Sequence, residues 1–292
     1  NNSINSSEKG KMKRQHSPKQ FPKIVDGYSG KGIEFDGDAW LDLDRIGVFK
    51  RNHTFSIGIR IYIPEELENG VIFHKNIGTR LYNYRGFHLA LKDGKLEVML
   101  AHFWPDNAIV ELSHEKTPKD KWLQLTMTYD GSSRAKGLKI YLDGKELKTN
   151  IEVDNLYKDI IYKNDKEPGL QIGARWRGKG IGGAVVDDIL VFTKELSAME
   201  VIQISDTRRF EMIINKSPSE LTKPEREMLK NYYITNFSKK FKSSFSELAN
   251  SRVIQVDSLE QVKEIMVMKE MKNPRKTFIL NRGQYDQYGE RA

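Results

Sequence analysis

The chain has 292 residues, 38% hydrophobic and 30% charged, which is enough apolar material for a sizeable core, and no run nears the about 18 apolar residues of a membrane helix. It has no cysteine, which excludes disulfides, thiolate metal sites and thiol nucleophiles within it. The net charge of +8 sits at the ends, +5 in residues 1–23, −2 in 24–204 and +5 in 205–292; without an RNP, helix-turn-helix or zinc-finger pattern it reads as solvated surface, not a nucleic-acid footprint.

The opening NNSINSSEKG has neither Met nor an apolar signal core, so the chain reads as an excised or processed fragment. Residues 1–23 are polar and aperiodic and are expected to form a flexible linker. From 24 to 204 the pattern is all-β. TFSIGIRIYI alternates Phe55, Ile57, Ile59, Ile61 and Ile63 inward against Ser56, Gly58, Arg60 and Tyr62 outward. GFHLALKDGKLEVMLA is a hairpin around Asp93-Gly94, which sets Leu91 opposite Leu96, Leu89 opposite Val98 and Phe87 opposite Leu100. That face is apolar and belongs to the core. The other face pairs Ala90 with Glu97 and His88 with Met99, and carries Tyr84 and Phe103 at one end. It is either the floor of a concave groove or the seat of the helices after 205, and the second is preferred.

The strand then runs into HFWPDNAIV, which places His102, Trp104, Asp106 and Asn107 together, with Arg85 facing His102 across the hairpin. ARWRGKG adds Arg175 and Trp176. Aromatic faces stack on the C–H groups of sugars, while amides, carboxylates and guanidinium groups bond the hydroxyls. These seven residues therefore make a candidate carbohydrate rim. The alternative is a Trp104 lid on the core, with Asp106-Asn107 shaping a turn. WLQLTMTYDG and LKIYLDGKEL continue the alternation with further Asp-Gly turns, so the fold class is mainly β, a two-sheet antiparallel sandwich.

After 194 the period changes. Ser197 is placed to cap a short helix through Ile204, and Thr222 to cap another with Pro224 in its first turn. Phe237, Phe241, Phe245 and Leu248 recur at helical spacing, so 205–270 is expected to be a helical extension. Residues 271–292 lose the pattern.

GIEFDGDAWLDL (32–43), TFSIGIRIYIP (54–64), KWLQLTMTYDG with GLKIYLDGKEL (121–147) and GGAVVDDILVFTKELSAMEV (182–201) come in the order and spacing of the laminin-G-like, concanavalin-A-like jelly roll, which residues 24–204 resemble. YRGFHLALKDGKLEVMLAHFWPDNAI and YDGSSRAKGLKIYLDG resemble the version inserted in planctomycete-type multidomain proteins with cytochrome-c-like domains. Residues 271–292 resemble the start of the uncharacterised C-terminal domain of those proteins, here truncated. The resemblance implies a periplasmic, cell-surface or extracellular bacterial setting, and neighbouring domains of the same parent chain as partners.

It also implies that the first and last strands lie together. That would join Asp36 and Asp38 to Asp187 and Asp188, whose carboxylates suit one structural calcium ion; Asp187 shares the parity of core-facing Ile189 and Val191 and so needs a buried partner, and in the alternative it accepts backbone N–H bonds from the Asp36-Gly37 turn without metal. Some relatives are glycosidases with acids alternating on one strand, but EVDNLYK supplies only Glu152 and Asp154. The expected function is a non-catalytic, lectin-like carbohydrate-binding module. A structural scaffold domain and a glycoside hydrolase or lyase are the alternatives.

Overall fold

The computed structural model describes residues 11–14, 23–76, 84–162, 167–175, 179–263, 265, 267, 276–283 and 287–292. Fifteen strands build the sandwich: β1 (Lys11–Arg14), β2 (Lys23–Asp26), β3 (Lys31–Glu34), β4 (Ala39–Asp42), β5 (Phe55–Ile63), β6 (Gly70–Asn76), β7 (Gly86–Lys92), β8 (Lys95–Phe103), β9 (Asn107–Lys116), β10 (Lys121–Tyr129), β11 (Leu138–Leu142), β12 (Lys145–Glu146), β13 (Thr149–Asp154), β14 (Gln171–Ile172) and β15 (Val185–Phe192). Among the described residues four helices follow: α1 (Ala198–Ser205), α2 (Thr207–Ile214), α3 (Lys223–Phe237) and α4 (Lys239–Gln261). The larger sheet runs β1-β4-β14-β6-β7-β8-β9-β13 and the smaller β12-β11-β10-β5-β15-β3-β2.

The alternation decides which face is buried. Phe55, Ile57, Ile59, Ile61 and Ile63 are all 0% exposed and meet Phe87, Leu89, Leu96, Val98 and Leu100 of the larger sheet. The β7–β8 register has Leu91 opposite Leu96, Leu89 opposite Val98 and His88 opposite Met99. Asp93 and Gly94 both have positive φ, as a two-residue type I′ turn requires.

One segment expected to be linker, Lys11–Arg14, is a strand paired to β4. Edge pairing of this kind uses main-chain groups, so it leaves no apolar signature in a polar sequence.

Ser197 and Glu200 form a capping box at α1, and Thr222 and Glu225 form another at α3 with Pro224 in its first turn. Val201 of α1 packs with Tyr141, Leu196, Phe192 and Ile204 on the outer face of the smaller sheet. Outward-facing Gly58 admits this approach, because an added Cβ would stand 3.2 Å from Gln124 Nε2 and 3.4 Å from Ile204 Cδ1. The expectation that the helices after 205 cover Tyr84, His88 and Met99 is corrected: α1 seats on the other sheet, α2 and α3 pack on α1, and α4 lies beside the 48–54 loop and Lys158–Asp159.

The chain divides into two compact units, one up to Glu260 and one from Gln261 to Ala292. The second contains the hairpin of β16 (Phe278–Leu280) and β17 (Tyr288–Arg291). Among the described residues no helix is long and apolar enough to cross a membrane.

Candidate functional site

The outer face of the larger sheet carries a groove of about 430 Å³ lined by Tyr84, His88, Lys92, Glu97, Met99, Trp104, Glu152 and Arg175. Near Tyr84 and Met99 its floor is apolar. Met99, Ala101, Ala108 and Val110 pack there with Tyr84 and Val153. Trp104 stands at one end on the β8–β9 turn, 39% exposed, and meets Tyr84 edge to face at 6.2 Å. A lid over the core would be buried, so Trp104 is not one.

Polar side chains reach the groove from four places. Arg175 follows β14 and lies over the Tyr84 ring at 4.5 Å from its centroid. Its Nη1 is 2.9 Å from His88 Nδ1. A guanidinium can only donate, so Nδ1 accepts and the imidazole proton sits on Nε2. That nitrogen donates to Glu97 Oε1 at 3.1 Å. Lys92 Nζ then donates to Glu97 Oε2 at 2.8 Å and to Glu152 Oε2 at 3.4 Å. Glu152 is the extra residue of a bulge in β13, between Ile151 paired with Glu111 and Val153 paired with Val110. A bulge re-aims its side chain, here toward Lys92.

The titration of these groups follows their partners. Burial, together with the charge of Arg175, holds His88 below its usual range and keeps it neutral. Burial alone would raise the Glu97 carboxyl, but its bonds to His88 and Lys92 outweigh this and hold it well below the usual carboxylate range. Glu97 in turn raises Lys92.

The residues expected to form one rim separate into two groups. Trp104 and Arg175 meet in the groove. Arg85 and His102 do meet each other, Nη2 to Nε2 at 2.9 Å, but they share the parity of Phe87 and Leu100 and so lie on the core side. There His102 Nδ1 is 2.5 Å from the Asp159 carbonyl, and Arg85 lies over Tyr162. Asn107 is 3% exposed, and its Oδ1 accepts the N–H groups of Tyr157 and Lys158 at 2.9 and 3.3 Å. It clamps the segment after β13 and cannot reach a ligand. Asp106 is exposed beside Trp104, and its carbonyl accepts from Asn155. Trp176 lies outside the described residues. Lys92, Glu97 and Glu152 are the members the rim reading missed; the signal was Glu97 on the outward parity of β8, one diagonal from Lys92.

The four aspartates do not form one cluster. β3 and β15 pair Val185 with Glu34 and Val186 with Ile33, and the Gly183 N–H donates to Phe35. Asp36 is thus level with Gly182, five residues along the strand from Asp187, roughly 16 Å at ~3.3 Å per residue. Asp36 Oδ1 accepts from the Asp38 and Ala39 N–H groups. Asp187 accepts from Ser29 N at 3.0 Å and Asp188 N at 2.8 Å. A bulge between Asp187 and Ile189 pairs Asp187 with outward-facing Arg60, so it does not share the core parity expected of it. One calcium ion joining both pairs does not fit this register. Among the described residues no group of three or more His, Asp or Glu side chains is placed to hold a metal ion.

The model of the concanavalin A-like lectin/glucanases superfamily matches residues 35–202. A comparison with curated proteins finds no match. The chain is similar to the binding domain of Paraclostridial mosquitocidal protein 1, with 14% identity, a TM-score of 0.50, and coverage of 68% of this chain and 48% of that one. It is similar to domain 4 of AbnA, a GH43 extracellular arabinanase from Geobacillus stearothermophilus, in complex with arabinotriose: 16% identity, TM-score 0.45, 68% of this chain and 88% of that one. The botulinum neurotoxin serotype G binding domain gives 14%, 0.46, 70% and 48%. The chain spans about half the length of the two toxin binding domains. The first likeness establishes a shared fold.

Proposed function

The chain belongs to the concanavalin A-like lectin/glucanases superfamily, and from this premise we propose that it is a non-catalytic carbohydrate-binding module whose site is the groove on the outer face of the larger sheet. The observation that carries the proposal is Trp104, 39% exposed beside Tyr84, at the end of a groove into which Arg175, Glu97, Lys92 and Glu152 converge. An exposed indole over an apolar floor offers a stacking face, and the charged groups offer both donors and acceptors to hydroxyls. The pre-bonded chain from Arg175 to Glu152 holds these groups in place before ligand arrives, which lowers the entropic cost of binding. On the same reading the module serves a larger exported multidomain protein, the setting that its sequence resemblance implies.

The test is a polysaccharide screen with wild type and Trp104→Ala, each with calcium and with EDTA. We expect saturable binding to one glycan class that Trp104→Ala abolishes. The substitution removes one edge-to-face pair and costs about 1 kcal/mol of stability. Silence across plant, algal and bacterial glycans sinks the proposal and favours a scaffold role. Loss of binding in EDTA would instead call for calcium at Asp36–Asp38 or Asp187–Asp188 separately.

Glycoside hydrolysis has one observation in its favour. Glu97 and Glu152 share Lys92, which keeps their nearer oxygens within about 6 Å, close to the separation of a retaining pair. Such a pair needs one carboxyl poised as an acid, and Glu97 is shifted the other way. Prolonged incubation with the bound glycan should release no reducing ends; release that Glu152→Gln abolishes would establish hydrolysis.

A further inference from the structure

His88 stands between Arg175 and Glu97, and this arrangement has a chemical consequence. Without the imidazole, a guanidinium and a carboxylate at this spacing would close on each other as an ion pair. With it, Glu97 spends its two oxygens on the His88 N–H and on Lys92. Arg175 spends one nitrogen on His88 Nδ1 and one face on the Tyr84 ring. No carboxylate lies within ion-pair distance of Arg175 among the described residues, although it is half-buried and opens into the groove. A half-buried cation without a counter-ion is costly, and a planar guanidinium fixed on two sides presents its remaining donors as a fork. That fork matches a carboxylate in two parallel hydrogen bonds.

The other end of the groove has the opposite character. Lys92 is shared by two carboxylates there, which leaves an excess of acceptors and one net negative charge. Neutral sugar hydroxyls can donate to these oxygens, whereas a second ligand anion would be repelled. Trp104 beside Tyr84 supplies the stacking face at the Arg175 end.

Resting on the carbohydrate-binding function above, we propose that the ligand is a carboxylated sugar joined to neutral sugars, that Arg175 receives its carboxylate, and that His88 is the positioning residue that keeps Arg175 free for it. A uronate side group on a neutral chain and a sialic-acid chain end share this chemistry.

The experiment measures affinity for matched pairs: glucuronate-substituted xylan against unsubstituted xylan, and sialyllactose against lactose, with polygalacturonate as a densely charged control. Wild type, Arg175→Gln, Arg175→Lys and His88→Gln are compared. We expect at least tenfold preference for the carboxylated member of one pair, which identifies the source, and weaker binding to polygalacturonate. Arg175→Gln should erase that preference, weakening the acidic member at least tenfold more than the neutral one, and Arg175→Lys should restore only part of it. His88→Gln, whose amide can both accept from Arg175 and donate to Glu97, should retain most of it. Equal affinity for both members of each pair overturns the acidic-sugar inference and leaves the carbohydrate-binding function standing. So does an Arg175→Gln loss that falls equally on neutral and acidic members. Absence of binding to every glycan by folded wild type refutes the function itself.

Discussion

His88 and His74 are cross-strand neighbours on β7 and β6, and both must stay neutral. His74 Nε2 donates to the Ala174 carbonyl at 3.2 Å and Nδ1 accepts the Asn76 N–H at 3.3 Å, so neither nitrogen has room for a second proton. Burial first, and then the charge of Arg175, bring His74 down to about 3. The groups facing His88 are His74, Lys92, Glu97 and Arg175, and of these Glu97 titrates at lower pH. Both imidazoles are harder to protonate folded than unfolded. Their contribution is therefore intact above about pH 6.5 and is lost as pH falls toward the folded values. At pH 5, fully buried His74 alone should cost about 2 kcal/mol relative to pH 7. Urea denaturation at the two pH values checks this, and a His74→Gln chain should lose much of the pH sensitivity. A flat profile in wild type would show that the imidazoles reach water. Residue types alone pointed to Trp104 and Arg175, but not to the role of Asn107. An amide beside an aromatic reads the same whether it meets a ligand or clamps a loop; only the third dimension turns Asn107 Oδ1 toward Tyr157 and Lys158.

At the scale of elements, period-2 alternation and Asp-Gly turns made β5, β7 and β8 legible down to register, because a one-residue slip would turn every apolar side chain outward. Bulges were not legible. Nothing in VVDDIL announces that Asp188 adopts φ 40° and shifts the pairing from Asp187–Arg60 to Ile189–Ile59. The same blindness hid Glu152, which a bulge sends into the groove. The bulge in β15 makes its own prediction. Asp188 tolerates the left-handed region better than most residues, glycine does so freely, and a β-branched side chain does so poorly. Asp188→Gly should leave thermal stability unchanged or slightly raised, since the exposed Asp188 carboxylate stands 4.0 Å from Arg60 Nε and contributes little. Asp188→Val should cost about 1–2 kcal/mol. If valine is tolerated as well as glycine, the strand is regular there and Asp187 faces the core after all.

At the scale of the molecule, the two sheets divide the labour within the unit that ends at Glu260. The smaller sheet buries one face against the sandwich core and part of the other under α1, so its outward Gly58 and Tyr141 serve packing. The larger sheet keeps its outer face for the groove, although an amphipathic, partly aromatic strand face looks identical in sequence whether helices or ligands cover it. This division predicts independence. Val201 is 0% exposed under the smaller sheet, and Val201→Ala removes two methyl groups from a packed contact. It should cost about 2 kcal/mol in chemical denaturation. Its effect should add to that of Trp104→Ala, because distant sites without shared partners combine additively. Glycan affinity of the Val201→Ala chain should stay within about twofold of wild type. A larger change would mean that α1 is coupled through the core to the groove. The helical extension would then tune binding as well as cover a sheet.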